Sequence, residues 1–317
     1  MRISSYIPVC IRTLLENQTP TIPSNSNVKN VPIVLPIVQT VNTIVMFADV
    51  SGFTAMTESL AAKGPVGAEC LGKYLNSYFE QMLKLISSAG GDVFKFAGDA
   101  MIVFWTPKHC ENNFNNNFNL NNNVEEEELI LRAIQCALRI QDHLHAAELA
   151  PGVVLRVKMG IGKGPINILH LGGVYDGCTT RMEYIAGNYY LQLITVSGTN
   201  GGTDLIVGPA LAQAFACENH ATPGQVIVSK EVLSAVEKKI RVQVLENNMN
   251  LFRVEKVEFP LKMKSRRQPC LRDDVELQSK MKSYVPRAVW PYLNAREESW
   301  GSELRNVTVL FINLGFR

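Results

Sequence analysis

Apolar residues fall along this chain in two rhythms. Ile44-Val45-Met46-Phe47-Ala48 is an unbroken apolar run that ends in Asp49 and the turn Val50-Ser51-Gly52. A run of this kind predicts a strand covered on both faces, 43–49, with a helix starting near Thr54. Over 56–88, Leu71, Tyr74, Leu75, Tyr78, Phe79, Met82, Leu85 and Ile86 recur at spacings of three and four. That spacing predicts an amphipathic helix, which Ala89-Gly90-Gly91 closes. Residues 92–96 and 100–105 predict a hairpin with Gly98-Asp99 at its turn. Glutamates at 125–128 open the next helix, where acidic residues suit the N-terminal dipole, and Leu129, Ile130, Ala133, Ile134, Ala137, Leu138 and Ile140 give it a buried face. Residues 153–161 and 166–171 predict two strands around Gly162-Lys163-Gly164-Pro165. The order strand, helix, strand, strand, helix, strand is the α+β, ferredoxin-like βαββαβ arrangement, with helices packed on a mostly antiparallel sheet. Beyond it the pattern predicts a helix at 209–220, a strand at 225–229, a short helix at 231–236 and a closing hairpin, 241–245 with 251–254.

Composition narrows the class. With 46% hydrophobic and 19% charged residues, the 317-residue chain can fill a large core. A net charge of +2 gives no electrostatic case for nucleic acid or an anionic membrane as partner. The seven cysteines are scattered, with no zinc-like CxxC spacing, which points to reduced thiols and a cytoplasmic protein. Residues 31–50, the most apolar stretch, contain Pro32, Pro36, Gln39, Thr40, Asn42 and Thr43, a poor membrane span and a good linker plus core strand. No transmembrane segment is expected.

Two stretches interrupt the pattern. Residues 112–123 hold nine asparagines in twelve positions and predict a surface insertion without chemistry. Residues 187–207 read either as a second insertion or as an unspliced segment. Near the end, Ser283-Tyr284-Val285-Pro286 echoes Ser5-Tyr6-Ile7-Pro8, and residues 307–316 echo 43–53 with Asn313 in the place of Asp49. The echo predicts an internal repeat of which only the first strand is present.

The candidate chemistry rests on Asp49 and Asp99. If their strands are neighbours, both carboxylates emerge at one end of one sheet, beside a helix N-terminus. Two acidic oxygen donors there suit hard divalent cations carrying a polyphosphate. Taken singly, each residue has a plainer reading: Asp99 as a turn former, Asp49 as a helix cap, Lys95 as a solvated lysine or the ion-pair partner of Asp99. The five histidines do not cluster, and no Ser/His/Asp set is evident.

The motifs Phe47-Ala48-Asp49-Val50-Ser51-Gly52-Phe53-Thr54, Gly91-Asp92 with Lys95-Phe96-Ala97-Gly98-Asp99-Ala100, and Arg156-Val157-Lys158-Met159-Gly160 resemble those of class III nucleotidyl cyclases. More narrowly, they are similar to the first catalytic domain of soluble, bicarbonate-responsive adenylyl cyclases. Gly208-Pro209-Ala210-Leu211, Pro223-Gly224-Gln225-Val226 and residues 303–309 extend the likeness. The resemblance implies an N-terminal helix and linker (1–36), a catalytic domain (37–262, with insertions 110–124 and 187–207), a linker (263–302) and the first strand of a second cyclase domain (303–317).

It also implies conversion of ATP to 3′,5′-cyclic AMP and pyrophosphate in intracellular signalling, with two Mg2+ ions, or Mn2+ in their place. Asp49, Asp99 and the Val50 carbonyl would hold metal. Ser51, Gly52, Phe53, Thr54 and Lys158 would hold the triphosphate, and Lys95 would contact bicarbonate. The family's anion-binding Arg on the following helix is Phe215 here, a side chain that cannot bind an anion. Base recognition and the transition-state Asn and Arg would come from a second cyclase domain, in cis or in trans. ATP over GTP follows from the resemblance alone. Two other readings compete. Gly90-Gly91-Asp92-Val93-Phe94 superficially imitates a diguanylate cyclase hairpin, but Val93 replaces the acid required there. A catalytically silent, nucleotide-binding regulatory subunit needing a second domain in trans fits the same motifs.

Overall fold

The computed structural model describes residues 7–18, 37–107, 123–150, 153–171, 174–175, 178–179, 183–187, 208–245, 248–263, 277–278, 281–282 and 284–285. The apolar run lies inside strand β1, Ile37–Ser51, which extends beyond the predicted 43–49 at both ends. Strands β2 (Asp92–Ala97) and β3 (Ala100–Trp105) form the expected hairpin, and β3 lies antiparallel beside β1. On its other side β1 pairs with β5 (Val153–Leu171) over fifteen positions, from Ile37 opposite His170 to Ser51 opposite Arg156. Strand β4 (Ala147–Ala150) folds back on the start of β5. Strands β6 (Val174–Tyr175) and β7 (Cys178–Thr179) pair with each other, and β8 (Glu183–Gly187) pairs with the far end of β5. Strand β9 (Val226–Ser229) runs parallel to β5, and the hairpin β10 (Ile240–Leu245) and β11 (Asn248–Val257) completes the sheet. The order is β10-β11-β9-β5-β1-β3-β2. Its antiparallel part, β5-β1-β3-β2, is the ferredoxin-like core of an α+β fold.

Helices cover both faces. Tyr78, Met82 and Ile86 of α3 (Pro65–Ser88), Ile130, Ile134 and Ala137 of α4 (Asn123–Leu144) and Val232 of α6 (Lys230–Val236) pack on one face, against Met46, Ala48, Met101, Val157 and Met159. The other face, with Val45, Phe47, Ile102 and Phe104, takes α1 (Val9–Gln18) and α5 (Pro209–Asn219). Leu277, Met281, Tyr284 and Val285 join that second cluster, as do Ile7, Ile11 and Leu15 of the N-terminal segment. The Asp92 carboxylate at the start of β2 accepts the Cys10 N–H (3.3 Å), tying α1 to the hairpin.

Two expectations are corrected. Residues 153–161 and 166–171 are one strand, and Gly162-Lys163-Gly164-Pro165 runs straight through it. Continuous pairing with β1 outweighs the local turn signal, and Pro165 lies between the stretches of β5 that pair with β9 (159–161) and β8 (167–171). A missing N–H interrupts no ladder bond on that side. The helical pattern over 56–88 is two helices, α2 (Phe53–Ala61) and α3. Pro65 at the first turn of α3 cannot continue α2, because it has no N–H to give the preceding turn. At the insertion boundaries, Asn123 and Val124 already belong to α4, and Gly187 to β8. The rest of the asparagine-rich stretch, residues 188–207 and the echo at 303–317 lie outside the described residues.

Candidate active site

Register places the two aspartates together. Asp49 is opposite Ala100 on β3, and Ala100 directly follows Asp99 in the hairpin turn. The same Asp49 is opposite Lys158 on β5. Side chains alternate along β1, so Asp49 follows Val45 and Phe47 onto the α1–α5 side of the sheet. Asp49 is half-buried, and burial is the main cause that pushes its carboxyl above the usual carboxylate range. The Asp99 carboxylate adds to the rise, and Lys158 opposes it. Asp99 itself is exposed.

Immediately after β1 the chain turns at Gly52, whose φ of 109° is a left-handed value natural to glycine. A Cβ there would lie 2.7 Å from the Val154 carbonyl oxygen, so the position has no room for a side chain. Gly52 caps α2 without a side-chain hydrogen bond to its first N–H groups, and its carbonyl accepts the Met56 N–H (3.1 Å). The N–H groups of Phe53 and Thr54 therefore begin a helix whose positive end opens beside Asp49. Ser51 is held on the strand by donating to the Arg156 carbonyl (3.3 Å). The Phe53 ring stacks on Phe79 of α3 (5.9 Å), which meets Phe96 edge-on (5.6 Å). One α3 side chain thus joins the Gly52 turn to the hairpin that carries Asp99.

Lys158 is the cation of the group. Its ammonium lies 2.6 Å from the Glu218 carboxylate and 3.8 Å from that of Asp49. Glu218 is a residue that sequence reasoning missed. It sits in the last turn of α5, and two glycines of β5 bring it down onto the sheet. A Cβ at Gly160 would lie 2.1 Å from the Ala214 carbonyl oxygen, and one at Gly162 would lie 2.2 Å from that of Ala210. The helix backbone therefore rests directly on the strand. Burial raises the Glu218 carboxyl pKa, Asp49 adds to the rise, and Lys158 works against it. The only signal in the sequence was the spacing Gly160-Ile161-Gly162, which permits a helix to approach a strand this closely.

The geometry thus joins Asp49, Asp99, Lys158 and the 51–54 turn, with the Val50 carbonyl in the same segment. Lys95 is exposed on β2 opposite Ile102, which in turn lies opposite Phe47 of β1. Phe215 packs its ring on Phe47 at 4.3 Å, so the position matched to an anion-binding Arg is filled by an aromatic contact. Among the described residues no cluster of three or more His, Cys, Asp or Glu side chains is arranged around a metal position. Two carboxylates and a carbonyl nevertheless fit Mg2+, which commonly takes one or two carboxylates and completes its shell with water and substrate phosphate oxygens. The mutual repulsion of Asp49 and Asp99 is the electrostatic condition that a divalent cation relieves. Among the described residues no helix is long and apolar enough to cross a membrane.

Residues 36–177 match the family model "Adenylate and Guanylate cyclase catalytic domain". Adenylate cyclase type 10 of Rattus norvegicus is 28% identical over 311 residues, which take in 89% of this chain and 17% of that protein. Adenylate cyclase type 10 of Homo sapiens is 27% identical over 282 residues, 86% of this chain and 16% of that protein. The chain thus spans less than a fifth of the length of these relatives. The crystal structure of the adenylyl cyclase CyaB from P. aeruginosa superposes with a TM-score of 0.43 and 21% identity, covering 73% of this chain and 98% of that one.

Proposed function

We propose, from the premise that residues 36–177 belong to the adenylate and guanylate cyclase catalytic-domain family, that this chain is the metal-binding half of an adenylyl cyclase. The reaction is conversion of ATP to 3′,5′-cyclic AMP and pyrophosphate. The observation that carries the reading is the register of β1 with β3, which sets Asp49 beside the Asp99 turn. The relatives' name supports ATP as the substrate.

In this reading Asp49, Asp99 and the Val50 carbonyl hold two Mg2+ ions. When bound, the ions favour ionisation of the ribose 3′-hydroxyl and offset charge on the departing pyrophosphate. The protein's own part is positioning. The N–H groups of Ser51-Gly52-Phe53-Thr54 face the triphosphate, where a helix N-terminus favours anionic oxygens. Lys158 supplies a positive charge to the same group. The shared attachment of Phe53 and Phe96 to Phe79 keeps the phosphate turn and the carboxylate turn in fixed relation. A second cyclase domain completes base recognition. A cytoplasmic location is part of the reading, supported by the free thiols of Cys70, Cys136 and Cys217.

The test is cyclic nucleotide production from ATP and from GTP with Mg2+ or Mn2+, by the chain alone and mixed with an intact second cyclase domain. Turnover of ATP in the mixture, lost in Asp49→Asn and in Asp99→Asn, is the expected result. Metal-dependent nucleotide binding without turnover in either setting would instead favour a catalytically silent regulatory subunit.

A further inference from the structure

Glu218 is a charge in an unfavourable place. It is 6% exposed, it lies in the last turn of α5, where the helix dipole already carries negative potential, and a second acid, Asp49, is close enough to raise its pKa. A fold selected for stability alone would place a neutral or basic residue there. Lys158, directly opposite Asp49 in register, has two acids to choose from. Its ammonium takes the shorter contact with Glu218, 2.6 Å against 3.8 Å.

We propose that Glu218 is a positioning residue that draws Lys158 to one side of Asp49. That keeps the Asp49 carboxylate open to a divalent cation and the ammonium ready for an arriving phosphate. The inference rests on the reading of Asp49 as a metal ligand. An ammonium and a divalent cation compete for the same carboxylate oxygens. With Glu218 neutralised, Asp49 is the remaining acid in contact with Lys158, and a metal must displace the ammonium before it can bind. The arrangement depends on Gly160, whose missing side chain lets the last turn of α5 come down onto β5.

The test is titration of Mn2+ into the full 317-residue chain without nucleotide, with free Mn2+ followed by electron paramagnetic resonance. Glu218→Gln is expected to raise the Kd for Mn2+ about tenfold, within the range seen for directly interacting pairs. In a Lys158→Met background the same change is expected to alter Kd by less than about twofold, because the competitor is gone. Equal weakening in both backgrounds would overturn the proposal, since Glu218 would then act only through its own charge. So would an unchanged Kd in Glu218→Gln. Asp49→Asn separates the two levels of the reading. If it binds Mn2+ as the parent does, Asp49 is not a metal ligand, and this inference falls with that reading. If it loses binding while Glu218→Gln has no effect, only the positioning role fails. Thermal melting checks that each variant is folded. Glu218→Asp, which keeps the charge but is one methylene shorter, carries the test if the Gln variant does not fold. An elevated Kd is expected there and an unchanged one overturns the proposal.

Discussion

The two aspartates of the candidate site are chemically identical and structurally opposite. Asp49 is near the end of a strand paired on both sides, half-buried, with its carboxyl pKa pushed up by burial and by Asp99. Asp99 occupies an exposed two-residue turn between β2 and β3. The fold bears a cost at Asp49 and almost none at Asp99, yet the proposed reaction needs both. The difference teaches that stability and activity should separate at one position and not at the other.

The most forceful way to break this comparison is to neutralise each acid in turn. Asp49→Asn is expected to lower turnover at least about 100-fold, and to raise the melting temperature by about 2 °C by removing a poorly solvated charge. Asp99→Asn should lose a similar amount of turnover with stability unchanged within about 0.5 kcal/mol, as for other exposed positions. Equal melting shifts in the two variants would show that burial does not distinguish them. A wedge under α5 tests the seat on which the Lys158–Glu218 contact rests. Gly160→Val should cost about 3 kcal/mol, from overpacking against backbone that cannot move aside, measured by chemical denaturation.

A smaller effect lies in pH. The folded-state pKa values of Asp49 and Glu218 are both raised above their ordinary 3.8 and 4.5. The folded chain therefore binds those protons more tightly than the unfolded chain does. Their contribution to stability is fully present below the ordinary values and is lost as pH rises through the raised ones. Asp49→Asn should flatten that part of the stability–pH curve, and Asp99→Asn should reduce it by a smaller amount, because burial outweighs the Asp99 charge in raising Asp49. The smallest changes are expected away from the pair. Bicarbonate should leave turnover unchanged, since Phe215 occupies the place matched to the anion-binding Arg. Deleting residues 112–123 should likewise leave activity and melting temperature near the parent values, as both assays would show directly.

The carboxylate pair was legible in the sequence because each half carries a local signal. An apolar run ends at Asp49, and glycine precedes Asp99 between two apolar strands. Their adjacency was a condition in the sequence, and the pairing of β1 with β3 meets it. The uninterrupted β5 was not legible, since Gly162-Lys163-Gly164-Pro165 has the composition of a turn. Only the long ladder with β1 and the unpaired outer edge at Pro165 make it a strand. Glu218 was hidden for a related reason. It comes 60 residues after Lys158 in sequence and meets it only because α5 lies flush on two glycines. The division between α2 and α3 was present in Gly64-Pro65 but masked by apolar spacing that continued across it.

The way α1 shares one cluster with Leu277, Met281, Tyr284, Val285 and the sheet has a practical consequence for anyone trimming this protein. A fragment cut back to residues 36–263 would strip Ile7, Ile11, Leu15, Leu277, Met281 and Tyr284 from their neighbours. Val45, Ile102 and Phe104 would then lose that cover. Such a minimal piece invites sticking and precipitation, and its failure to work would say nothing about the chemistry of the whole.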